Sequence, residues 1–73
     1  MYKVLSKLAL NGNSIVTIDG KGNGLKNGIY VKNEHGVVFY VISIGTVRSA
    51  NGSAPTATEL LIDGSFSGEE IDF

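Results

Sequence analysis

Short runs of Val, Ile, Leu, Tyr and Phe alternate along this chain with clusters of Gly, Asn, Asp and Ser. Apolar runs of that length, bounded by turn-forming residues, predict strands rather than helices. At the start, Tyr2, Val4, Leu8 and Leu10 fall on one face of a period-two segment, with Lys3 and Lys7 on the other. Leu5, Ser6 and Ala9 interrupt that alternation. Ser14-Ile15-Val16-Thr17-Ile18 is rich in β-branched side chains, which favour extended backbone. Ile29-Tyr30-Val31-Lys32 predicts a short strand. Residues 37–44 are apolar on both faces, which predicts a central strand covered on both sides. Gly45 is the expected kink or bulge before Thr46-Val47-Arg48. Thr58-Glu59-Leu60-Leu61-Ile62 reads as a strand, with a single helical turn over residues 57–62 as the alternative. The final segment, residues 65–73, has Phe66, Ile71 and Phe73 as its apolar anchors.

The connections between these six candidate strands carry the second signal. Four Asn-Gly pairs occur in 73 residues: Asn11-Gly12, Asn23-Gly24, Asn27-Gly28 and Asn51-Gly52. Asn tolerates the left-handed backbone region and Gly enters it without a Cβ clash, so the pair suits the centre of a type I′ hairpin turn. A chain that reverses this often, between short strands, predicts an all-β fold. Closure removes strand edges that so short a chain cannot otherwise protect, so the expected form is a small six-stranded antiparallel barrel, closed or nearly closed. The predicted interior comprises Val4, Leu8, Ile15 or Val16, Val31, Phe39, Val41, Leu61 and Ile71. Residues 1–73 make a single domain, because two cores cannot be built from this length.

Composition narrows the function classes. The chain has no Cys, so disulfides and thiolate metal sites are excluded. Six Lys and Arg stand against seven Asp and Glu, a balance too even for electrostatic capture of nucleic acid or an anionic membrane. Lys3 and Lys7 break the apolar continuity that a signal peptide requires, and the longest apolar run is far below the roughly 20 residues that span a bilayer. A cytoplasmic protein is expected.

Candidate chemistry is sparse. His35 is the only histidine, and it precedes Gly36 in a predicted loop, where a solvated turn residue is expected. Glu69 and Glu70 are adjacent and would point to opposite faces of a strand, so they do not form a paired-carboxylate site. Gly20-Lys21-Gly22-Asn23-Gly24 has the glycines of a phosphate-cradling loop, but no Ser or Thr follows Lys21 and no helix pattern follows the loop. No catalytic residue, metal site or cofactor is therefore assigned, and no enzymatic activity is expected. The residues gathered best for recognition are Lys21, Lys26, Tyr30, Lys32 and His35, cations beside an aromatic on predicted loops and a short strand. Arg48 joins them if the barrel closes as predicted.

Residues 14–73 resemble the second, β-barrel domain of translational GTPases of the elongation-factor-Tu type. The matching phrases are Ile15-Val16-Thr17-Ile18, the glycine corner, Leu25-Lys26-Asn27-Gly28 before Ile29-Tyr30-Val31, and Val41-Ile42-Ser43-Ile44. Glu59-Leu60-Leu61-Ile62-Asp63-Gly64 and Gly68-Glu69-Glu70-Ile71 are similar to its later segment. The apolar-Lys-x-Gly phrase lacks the acidic residue that usually follows it, and these 73 residues leave no room for a GTPase domain. The resemblance implies a six-stranded closed barrel with a surface for RNA or protein and no chemistry of its own.

The expected function is a non-enzymatic binding or assembly module with a protein partner or self-association, without membrane attachment or a small-molecule cofactor. An RNA-contacting barrel of the translation-factor kind is one alternative. A phage or mobile-element structural subunit is the other. Residues 49–56, with no large apolar side chain to anchor them, are expected to be the least ordered internal segment. Their amides should exchange with solvent faster than those of residues 37–44, and equal protection would contradict this.

Overall fold

The computed structural model describes residues 1–20, 24–47 and 57–73. Six strands form: β1 (Tyr2–Leu10), β2 (Asn13–Asp19), β3 (Tyr30–Asn33), β4 (Val38–Val47), β5 (Ala57–Asp63) and β6 (Glu70–Asp72). All neighbours are antiparallel, and the order β1-β2-β5-β4-β3-β6 closes on itself as a barrel. The described residues contain no helix, so the segment over β5 is strand and not a helical turn. The expectations for residues 49–56, Lys21 and Arg48 fall outside the described residues.

Turn chemistry acts where the local sequence demands it. Asn11 (φ 50°) and Gly12 (φ 83°) both occupy the left-handed region and join β1 to β2, as a type I′ turn requires. Asn27-Gly28 behaves differently, since only Gly28 has positive φ (81°). That pair precedes β3 instead of linking two strands. The Gly28 N–H donates to the Val41 carbonyl (2.8 Å) and the Ile44 N–H donates to Asn27 Oδ1 (3.0 Å). These bonds carry the contact with β4 back past the start of β3.

Every strand contributes to one interior. Val4, Val16, Ile18, Val31, Phe39, Val41, Leu60, Ile62 and Ile71 are buried, and Leu25 closes the cluster from the loop before β3. Phe66 packs its ring 4.7 Å from that of Phe39. Two expectations for the core are corrected. Leu8 is 62% exposed, because the β1–β2 register steps from Val4↔Ile18 to Ser6↔Thr17 and leaves Leu5 as the extra residue of a bulge. A one-residue slip in a period-two element sends every later side chain to the other face. Leu61 also lies on the outside, half-buried, while Leu60 and Ile62 point inward. Three consecutive apolar residues give no phase, and the pairing of Leu61 with Ile15 sets it.

The central strand is likewise corrected. Phe39 and Val41 are interior, but Val38 (58%), Tyr40 (38%) and Ile42 (37%) are exposed on the other face. Its irregularity sits at Ile42, between Val41↔Ile62 and Ser43↔Leu61, and not at Gly45. Gly45 continues the strand opposite Glu59.

Closure depends on β6, only three residues long, bridging β1 through Tyr2↔Ile71 and β3 through Asn33↔Ile71. The Glu34 carboxylate accepts the N–H groups of Glu69 (2.9 and 3.0 Å) and Glu70 (3.1 Å). Asn33 Nδ2 donates to the Ser67 carbonyl (2.8 Å), and Asn33 Oδ1 accepts the N–H groups of His35 and Val37. Gly68 passes so close that a Cβ there would lie 2.7 Å from Glu34 Oε1 and 2.8 Å from Asn33 Cβ, and its φ of +115° further favours glycine. The backbone N–H of Glu34 itself and that of Glu69 hold the Glu34 carboxyl below its ordinary value, with smaller help from the Glu70 N–H and His35 and against a desolvation that raises it.

Two measurements test this architecture. Leu60→Ala should destabilise by about 2–5 kcal/mol in urea titrations, the range for a fully buried leucine. Leu61→Ala should cost well under half of that, and equal losses would show that the β5 phase is wrong. For Glu34, a folded value below the unfolded one means the clamp stabilises above the ordinary carboxyl value of 4.5 and is lost as pH falls through the folded value. Glu34→Gln should therefore be less stable than wild type at neutral pH, and the gap should shrink as pH falls below 4.5. A pH-independent gap would remove Glu34 ionisation from the account of closure.

Candidate binding surface

Alternation in β3 sends Val31 and Asn33 inward and Tyr30 and Lys32 outward. The β3–β4 register then places Tyr40 beside Tyr30 and Val38 beside Lys32 on the same outer face. The two tyrosine rings meet edge to face, with centroids 5.2 Å apart and planes at 61°, a favourable aromatic geometry. Tyr30 nevertheless remains 66% exposed. The hydroxyl of Tyr40 lies over Gly28, where a Cβ would come within 3.4 Å. Asp72 pairs with Lys32 across the β3–β6 seam. Among the described residues, the ion pairs are Lys7–Glu69 (3.2 Å) and His35–Glu34 (3.7 Å), so Lys32 is not committed to one.

Of the residues singled out from the sequence, Tyr30 and Lys32 share this face. Lys26 is exposed in the loop ahead of β3, and His35 lies in the hairpin turn at the other end of that strand. His35 is largely solvated and its N–H donates to Asn33 Oδ1 (2.9 Å), which fits a turn residue. Lys26 and His35 therefore flank the face at opposite ends instead of joining it. Sequence reasoning missed Tyr40 and Val38. The two-sided apolarity of residues 37–44 was the available signal, and it was read as burial on both sides.

A second apolar surface is centred on β2 and β5 and reaches β4, the strand it shares with the Tyr30 face. The registers line up Leu8, Ile15, Leu61 and Ser43 as one row across β1, β2, β5 and β4. Leu8 (62%) and Leu10 (45%) are exposed there. Beside that row is a groove of about 300 Å³, lined by Leu10, Ile15, Ser43, Ile44, Gly45, Glu59 and Leu61. Nothing lies within 4 Å of where a Gly45 Cβ would be, so its backbone leaves open space in the groove. Glu59 and Asp63 bracket Leu61 along the same outward face of β5.

Among the described residues no three His, Asp or Glu side chains gather into a metal-binding cluster. No protein-family profile, curated protein or solved structure matches this chain.

Proposed function

We propose that this barrel is a non-enzymatic binding module that docks a protein partner on the outer face of β3 and β4. The observation that carries this reading is the contiguous exposed set Tyr30, Tyr40, Val38 and Lys32, which the interior does not use. Interface hot spots are enriched in tyrosine, because one ring offers a large apolar area with few rotatable bonds and a polar tip. Lys32 adds a cation at the rim, where charge favours orientation and encounter more than affinity. A closed ring supports side-chain recognition over strand addition, because its strands already have neighbours on both sides.

The exposed ring of Tyr30 beside Lys32 also supports a second reading, a single-strand RNA platform of the translation-factor kind. With a net charge of −1, such binding would be modest and would weaken steeply with salt.

Peptides selected from a random display library, titrated into labelled protein, should shift the amides of Tyr30, Lys32 and Tyr40. Tyr30→Ala should weaken their binding by tenfold or more, as expected of a central aromatic anchor. Shifts confined to another face, or full binding by the variant, would reject this surface. Tighter binding of single-stranded RNA, lost between low and moderate salt, would favour the RNA reading instead.

A further inference from the structure

We infer that the partner of the Tyr30 face is a second copy of this chain, whose Leu61 groove receives it, so that copies associate head to tail. The inference rests on the binding-module reading and names its partner. Three observations combine to support it.

The first is shape. The β3–β4 face presents a projection, with Tyr30 66% exposed, and the surface centred on β5 presents a recess of about 300 Å³ with glycine at one of its walls. That volume exceeds what one tyrosine side chain needs, and the recess is lined by Leu10, Ile15 and Leu61, apolar surface on which an aromatic ring gains free energy by leaving water.

Charge is the second. The projection carries Lys32, which has Asp72 opposite it in the β3–β6 register but no ion pair among the described residues, and the recess carries Glu59 with Asp63 further along the same face. The groove residues include a carboxylate and no cation. Pairing groove with groove would oppose Glu59 to Glu59, whereas head-to-tail docking brings Lys32 to Glu59. The net charge of −1 adds little repulsion between whole copies.

The third is position. The two surfaces use different side chains, Tyr30, Lys32, Val38 and Tyr40 on one and Leu10, Ile15, Gly45, Glu59 and Leu61 on the other, with β4 running through both. A contact between different patches of identical subunits is heterologous, and it propagates into rings or open filaments instead of stopping at a dimer. A standard interface takes about 800 Å² from each partner, about a fifth of the 4399 Å² surface of this chain.

The test exploits the asymmetry. Tyr30→Ala removes the projection and keeps the groove, while Gly45→Phe fills the groove and keeps the projection. Both changes are at exposed positions, the second into open space, and amide spectra would verify that each variant folds. Glu59→Lys is a second way to disable the groove. By sedimentation velocity the wild-type mass should rise continuously with concentration, and each variant alone should remain monomeric. An equimolar mixture of Tyr30→Ala and Gly45→Phe should form a one-to-one dimer and nothing larger, because the intact projection of one fits the intact groove of the other. Wild type that stays monomeric up to about 1 mM, the weak end of specific affinity, overturns the inference and leaves the peptide test of the Tyr30 face standing. Association that survives Tyr30→Ala but is lost in Gly45→Phe overturns the inference, because the projection then takes no part in it. A mixture that does not dimerise overturns the head-to-tail arrangement.

Discussion

The seam at β6 is the constraint on which the rest of this structure depends. Three residues, Glu70–Asp72, must join β1 to β3, or the sheet would be left open with two unpaired edges. So few ladder bonds would be marginal alone. Side chains from the β3–β4 turn supplement them: Glu34 accepts two backbone N–H groups of the incoming segment, and Asn33 holds the Ser67 carbonyl. Ile71, fully buried, ties the same three residues to the interior. Charge-assisted bonds from a carboxylate to backbone donors are among the stronger ones available, and they act here where the backbone ladder is shortest.

Closure also decides what becomes of the apolar residues. A six-stranded ring has a narrow interior, and here β1, β3 and β6 each place a single hydrophobic side chain in the core, with two from each of β2, β4 and β5. Once those places are filled, further hydrophobic residues must lie outside. Leu8, Leu10, Tyr30, Val38, Tyr40 and Ile42 are that excess, more than a third exposed in each case. Bulges at Leu5 and Ile42 set how it is distributed. The first turns Leu8 and Leu10 outward beside Ile15 and Leu61, and the second lets β4 keep Phe39 and Val41 inside while changing its register with β5. Two apolar faces result, one bearing Lys32 and the other Glu59, with β4 contributing to both.

These faces divide the functional question. Among the described residues no three His, Asp or Glu side chains gather into a metal-binding cluster, and Glu34 and His35, 3.7 Å apart, belong to the turn that fastens the seam. Recognition is the role we propose for the outside of the barrel. The proposed head-to-tail contact would use both apolar faces and would set their charges in complementary register.

The amino-acid sequence by itself determined the all-β class, the number and approximate extent of the strands, and the reversal at Asn11-Gly12. All of these follow from short-range preferences, namely β-branched side chains for extended backbone and Asn or Gly for positive φ. It also pointed to Tyr30 and Lys32, because alternate positions of a strand share a face. Which face each apolar residue takes was decided only by the tertiary structure. Strand phase is cumulative, so the single extra residue at Leu5 moved Leu8 outward, and Leu60-Leu61-Ile62 had no phase until β2 paired with it. The partnership of Tyr30 with Tyr40, the groove beside Leu61 and the Glu34 clamp, whose donors lie 35 and 36 residues away, all depend on that pairing. Local propensity can choose a strand, but only ring closure, acting between distant segments, chooses which side of that strand faces water.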